Sequence, residues 1–268
     1  MIFIGLITLG ITIGIISALF GVGGGFLTVP LLVSLYPDAP FQSAVGVSLT
    51  IIFINSSMVA YKFYQKGKKI PLSLFLVLAI GIIAGTQLGA LVSLNISMET
   101  FKKVFATILI VAGFKTLLIK TKSSANTSNY ANSRTFILGF LTTFLSGILS
   151  AFTGLGGGII LVPLFIFLLR VPLTDVSFFS NLIMMIGALM GAINYVILGW
   201  GKDVFISTDL SSFQAGYVNL GLVFFIFLGG FVGTRLGVHL SPKLGPELSK
   251  KLFATLLFGM AIKVIFFG

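Results

Sequence analysis

Apolar runs fill almost the whole chain, and the polar residues between them come in short clusters. The first run, Ile2 to Phe20, is long enough to cross a hydrocarbon core of about 30 Å. It stops at Gly21-Val22-Gly23-Gly24-Gly25 and is followed by Phe26 to Tyr36, which as a helix covers only about 16 Å. Pro37-Asp38-Ala39-Pro40 ends that half-length segment, because neither proline continues a helix. Phe41 to Phe63, Leu72 to Val92 and Phe101 to Ile119 read as spans, with a basic loop (Lys62, Lys66, Lys68, Lys69) ending at Pro71. Lys120 to Arg134 is the plainly polar stretch, rich in Ser, Thr and Asn, and reads as a linker.

The second half follows the same plan. Phe136 to Thr153 leads into Gly154-Leu155-Gly156-Gly157-Gly158, then a short helix from Ile159 to Leu169 and a turn at Val171-Pro172. Leu173 to Leu198, Phe213 to Leu240 and Leu248 to Phe267 read as spans, with a polar connection at Gly199 to Ser212. The two glycine runs, the Ser-Ala pairs before them (Ser17-Ala18, Ser150-Ala151) and the prolines after them (Pro30, Pro163) match at an offset of 133 residues. Gly85-Thr86-Gln87-Leu88-Gly89 answers Gly233-Thr234-Arg235-Leu236-Gly237 at an offset of 148. An insertion near Trp200 to Gln214 accounts for the change. This is an internal duplication, with repeats at 1–119 and 136–268 and a linker at 120–135.

Composition assigns the class. Fifty-seven per cent of the 268 residues are hydrophobic and 9% are charged, and the mean hydropathy is +1.14, which fits a polytopic membrane protein. The N-terminal run lacks a basic leader and reads as the first span, not a cleaved signal. A formal charge of +11 would suggest nucleic acid in a soluble domain. Here it suits loops facing anionic headgroups and an anionic substrate, with no nucleic-acid partner. The chain has no cysteine, so disulfides and thiolate chemistry are absent.

Charge also orients the halves. If each glycine run is a hairpin tip, each half crosses an odd number of times and the repeats are inverted. One side then collects Lys62, Lys66, Lys68, Lys69, Lys120, Lys122, Arg134, Arg170, Arg235, Lys243, Lys250 and Lys251, and the other keeps Lys102, Lys103 and Lys202. If the glycine run instead breaks one straight span, the basic clusters fall on opposite sides. The positive-inside rule favours the inverted arrangement, with both termini outside. The expected fold is therefore all-α and polytopic: two inverted repeats, each a glycine-tipped broken-helix hairpin plus three transmembrane helices.

Broken helices at the interface of inverted repeats are where transporters hold their ligands. Helix N-termini carry unpaired N–H groups and the positive end of the helix dipole, and glycines let an oxyanion approach the backbone closely. Gly21, Gly23, Gly24 and Gly25 with Gly154, Gly156, Gly157 and Gly158 are thus candidates for an anion cradle; tight helix crossing is the plainer alternative. Asn55 in mid-span either lines the path or bonds a neighbouring helix. Ser48 and Ser180 match at an offset of 132, and with Asn181 they suggest a second wall. Ser17 and Ser150 stand one turn before the glycines, as caps or as ligand contacts. Gln87 and Arg235 occupy equivalent positions; Arg235 either draws the anion to the cytoplasmic mouth or snorkels to the interface.

No nucleophile–base pair, Walker loop or metal-ligand cluster occurs in the sequence, so neither a cofactor nor catalysis is expected. No carboxylate falls in mid-membrane, which points proton coupling, if any, to a protonatable substrate. The twin Ser-Ala-x-x-Gly-x-Gly-Gly-Gly-x-x-x-x-Pro blocks and the repeated Gly-x-x-Leu-Gly resemble the sulfite exporter TauE/SafE family over nearly the whole chain. The resemblance implies a multi-pass carrier in a prokaryotic cytoplasmic membrane, handling sulfite, sulfonates or related organosulfur anions, with the glycine blocks carried over. It implies a secondary transporter working by alternating access, with export the expected direction; a passive anion channel through the same constriction is the alternative. Partners expected are the small anion, protons as a coupling ion, the lipid bilayer and a second copy of the chain.

Overall fold

The computed structural model describes residues 2–20, 24–118, 133–169, 171, 173–201, 213–240 and 246–266. These form ten helices: α1 (Ile2–Phe20), α2 (Gly25–Leu35), α3 (Phe41–Gln65), α4 (Leu72–Leu94), α5 (Met98–Leu118), α6 (Ser133–Thr153), α7 (Gly158–Phe167), α8 (Leu173–Leu198), α9 (Leu220–Leu240) and α10 (Pro246–Phe266). Pro40 and Pro71, both in extended backbone, precede α3 and α4 and mark their starts. The linker expected at 120–135 lies largely outside the described residues, and α6 already opens at Ser133.

One expectation is corrected. Residues 214–219 belong not to a span but to a hairpin, β1 (Gln214–Ala215) against β2 (Val218–Asn219), turned at Gly216 with φ 57°. The hairpin seats on the end of α8. A Cβ on Gly216 would lie 2.0 Å from the Val196 carbonyl oxygen, and one on Gly199 would lie 2.3 Å from the Tyr217 nitrogen. Asn219 then accepts the Leu222 N–H through Oδ1 at 2.9 Å, which caps the first turn of α9.

Polarity is inverted relative to a water-soluble bundle. Leu72, Leu76 and Ile80 on α4, Ile137, Leu141 and Leu145 on α6, and Leu220, Phe224 and Leu228 on α9 are exposed at steps of four residues. Ser43, Ser48, Asn55, Ser56, Thr86, Thr142, Thr143 and Ser146 are buried. Among the described residues, five helical segments are long and apolar enough to cross a membrane: Phe41–Gln65, Leu72–Leu94, Ser133–Thr153, Asp175–Leu198 and Leu220–Gly237. An outer apolar shell around a polar interior is what a bilayer requires of a helical bundle.

Two glycine-faced seams hold the bundle together. A Cβ on Gly10 would meet Ile226 O at 2.2 Å, and one on Gly14 would meet Gly230 O at 2.4 Å; Gly229 and Gly233 face Ile7 and Ile11 in the same way. Residue numbers rise together, so α1 and α9 run parallel with their backbones in contact. Gly81, Gly85 and Gly89 press on Phe140, Phe144 and Ile148, so α4 and α6 form a second parallel seam. Each seam joins a helix of the first half to one of the second. By contrast α3 and α8 run antiparallel: Gly46 faces Tyr195, Leu49 faces Gly191, and Phe63 packs on Phe178. α5 and α10 are antiparallel too, with Phe114 on Phe258 and Phe105 bordering a groove shared with Lys263 and Val264.

Candidate functional site

The second glycine run shows why three of its four glycines are needed. Gly154, Gly156 and Gly157 have φ of 71°, 71° and 75°, and in the first run Gly24 has φ 80°. An L side chain in this left-handed region costs roughly 1–2 kcal/mol per residue. Gly24 and Gly157 are the N-caps of α2 and α7. A glycine cap carries no side-chain acceptor; the Leu27 and Ile160 N–H groups bond the cap carbonyls of Gly24 and Gly157 at 3.1 and 2.9 Å, and the N–H groups before them have no capping side chain.

The two breaks meet on α3. A Cβ on Gly25 would sit 2.3 Å from the Gly154 carbonyl oxygen and 2.7 Å from Ile52 Cδ1; one on Gly156 would sit 2.8 Å from the same Ile52 Cδ1. Gly154 also backs onto Val29 of α2 and Val45 of α3. Ser48 Oγ donates to the Gly154 carbonyl at 2.7 Å, which neutralises one acceptor of the turn. Two turns beyond Ser48 and one beyond Ile52 on α3, Asn55 Oδ1 and Ser56 Oγ are buried without a hydrogen-bond partner; the two residues are 9% and 1% exposed. Ser150, 1% exposed, accepts the Gly154 N–H through its carbonyl at 2.8 Å.

Among the residues singled out from the sequence, Gly24, Gly25, Gly154, Gly156, Gly157, Gly158, Ser48, Ser150 and Asn55 are buried around these breaks. Ser180 and Asn181 are buried on α8, and both turn back to their own helix, reaching the Ser177 carbonyl at 3.3 and 2.7 Å. Gln87 and Arg235 are not brought to the site. Both are exposed, Gln87 on the face of α4 opposite Gly85 and Gly89, and Arg235 with its guanidinium 4.3 Å from the Phe231 ring centroid. Gly21, Gly23 and the side chain of Ser17 lie outside the described residues.

A polar knot beside the second break was not foreseen. The Tyr195 hydroxyl reaches Ser93 Oγ at 2.9 Å and the Ala151 carbonyl at 2.8 Å. Gln42 Nε2 donates to the Ser93 carbonyl at 2.9 Å. The knot ties α3, α4, α6 and α8 three residues before Gly154, and Tyr195 is fully buried. Its sequence signal was a lone tyrosine inside an apolar span, a group whose O–H needs a buried partner. At the other end of the α3–α8 pair, Lys68 forms an ion pair with Asp175, again between the halves.

The profile of the sulfite exporter TauE/SafE family matches residues 6–264. The chain belongs to the TauE/SafE family. It is 29% identical over 256 residues to a probable membrane transporter protein of Haemophilus influenzae, covering 96% of this chain and 93% of that one. A probable membrane transporter protein of Methanocaldococcus jannaschii is 28% identical over 87% of this chain and 84% of its own length. One from Bacillus subtilis is 28% identical over 74% and 80% respectively. No solved structure matches significantly. With its apolar shell and five membrane-capable helices, this TauE/SafE member is a multi-pass membrane protein of a transporter family.

Proposed function

We propose that this TauE/SafE protein is a secondary carrier that exports a small sulfur-containing anion, sulfite, a sulfonate or a related organosulfur anion, across a prokaryotic cytoplasmic membrane. The observation that carries the reading is the meeting of the two glycine breaks: two helix N-termini without side-chain caps converge on α3 at Ile52, one turn before Asn55 and Ser56, whose Oδ1 and Oγ are buried without a partner. Gly24, Gly25 and Gly156 to Gly158 supply backbone donors, and Asn55 and Ser150 line the same space. Ser180 and Asn181 form a wall on α8.

The antiparallel pairing of the repeat-equivalent helices, α3 with α8 and α5 with α10, supports inverted repeats. Following the helix directions, one end gathers Lys62, Lys66, Lys68, Lys69, Lys115, Arg134, Arg235 and Lys251, and the other Lys102, Lys103 and Lys263. The positive-inside rule makes the first end cytoplasmic and leaves both termini outside. The backbone-tight seams argue that the moving bodies are not the sequence halves: α9 travels with α1, and α4 with α6. Alternating access is then a rocking of these two mixed units, with proton coupling through a protonatable substrate. The test is sulfite flux in proteoliposomes with counterflow. Saturable flux with counterflow supports a carrier; flux without saturation or counterflow makes the protein a channel, and no flux of any sulfur anion refutes the assignment.

A further inference from the structure

The cradle is built without a single formal charge. No ionisable residue occurs in α1, α2, α4, α7 or either glycine run. On the other helices packed around it, ionisable groups stand towards the ends. α3 carries Tyr61, Lys62 and Tyr64 in its last two turns; α6 has Arg134 at its start; α8 has Asp175 in its first turn and Tyr195 in its last. α9 ends with the exposed Arg235 and His239, and α10 has Glu247, Lys250 and Lys251 in its first two turns. Lys102 and Lys263 border a groove along Val29 to Ser34 of α2, beyond the first turn that forms the cradle.

Electrostatic stabilisation of an anion therefore falls to the starts of α2 and α7. A helix N-terminus is equivalent to roughly +0.5 of an elementary charge, so two of them balance about one negative charge. The cost of taking an ion out of water grows as the square of its charge, so a dianion meets roughly four times the penalty of a monoanion. Asn55 and Ser56 add neutral hydrogen bonds; an amide end presents either its oxygen or its NH2, and Asn55 Oδ1 and Ser56 Oγ are both unpartnered. Building on the carrier reading, we infer that the site is matched to a singly charged oxyanion. It takes sulfonates and sulfite as hydrogen sulfite, and it rejects the sulfite and sulfate dianions.

The experiment is flux of sulfite, methanesulfonate and sulfate in proteoliposomes with equal pH on both sides, from mildly acid to alkaline. Methanesulfonate stays singly charged throughout and cancels any titration of the protein. The expected result is methanesulfonate flux, sulfate flux at least tenfold lower, and a sulfite-to-methanesulfonate ratio that falls about tenfold per pH unit above the second ionisation of sulfurous acid. Sulfate carried as fast as methanesulfonate, or a ratio that does not fall with pH, overturns the charge match and leaves a carrier standing. No flux of any of the three removes the carrier reading and this inference with it.

Discussion

Replacing Gly25 with alanine separates two consequences of a glycine that are usually confounded. Gly25 is the first residue of α2, and its φ lies outside the left-handed range, so intrinsic propensity favours alanine by about 1 kcal/mol. Space does not. The added methyl would stand 2.3 Å from the Gly154 carbonyl oxygen and 2.7 Å from Ile52 Cδ1. Relief requires moving one glycine break off the other by about 1 Å, at the 1–3 kcal/mol typical of overpacking. Gly157→Ala is the complement. Its nearest neighbour would be Leu161 Cδ1 at 3.5 Å, so the cost is the strained φ of 75°, roughly 1–2 kcal/mol, with the breaks left in contact. The expected outcome is a transport loss of at least about tenfold for Gly25→Ala, since ångström-scale misplacement of a binding group is that costly, and a smaller loss for Gly157→Ala. Counterflow in proteoliposomes, with folding checked by size-exclusion chromatography, measures both. Wild-type flux in Gly25→Ala would refute the reasoning. So would rescue by Ile52→Val, because trimming that side chain leaves the carbonyl clash in place.

Other predictions concern the scaffold. Gly85→Ala and Gly229→Ala place a methyl 2.1 and 2.0 Å from the carbonyl oxygens of Phe144 and Ile7, and each should destabilise by about 1–3 kcal/mol. Gly259→Ala, with nothing within 4 Å, should gain up to about 1 kcal/mol; thermal unfolding in detergent ranks the three. Tyr195→Phe strips the knot of its hydroxyl and leaves buried polar atoms at Ser93 and Ala151 short of a donor, costing about 1–3 kcal/mol by the same assay. Lys68→Ala should cost under about 1 kcal/mol, because the Lys68 and Asp175 side chains are 36% and 30% exposed and such pairs are screened.

Much of the helical plan was legible because glycine and proline interrupt long apolar runs at fixed places. α1 and α8 begin and end where hydropathy and the flanking breakers put them. The meeting of the two breaks was expected from duplication; their common support, Ile52, was not, since nothing marks one isoleucine among many. The hairpin at 214–219 was absorbed into a span because it is short and flanked by Phe213 and the apolar run from Leu220, and part of its support comes from α8 and Gly46, which local sequence does not reveal. Tyr195 escaped attention because weight fell on duplicated positions, and its equivalent at an offset of 132 is Phe63. The small-residue face at Gly85 and Gly89 packs on Phe144 and Ile148 of α6, a partner that its spacing does not name. Periodicity tells which face is small, not what covers it. The outward aim of Gln87 was available from helical phase, two residues from Gly85.

The crossed seams have a consequence for how the protein is made. α1 is synthesised long before α9, the partner for its glycine face, and α4 likewise waits for α6. Until then each glycine stripe is an unfilled groove on a helix already in the membrane. The first half thus emerges from the ribosome as an incomplete object, and its assembly is governed by contacts of long sequence separation, which form slowly. A gene cut in the linker should yield two fragments that each fail alone and recover only when expressed together.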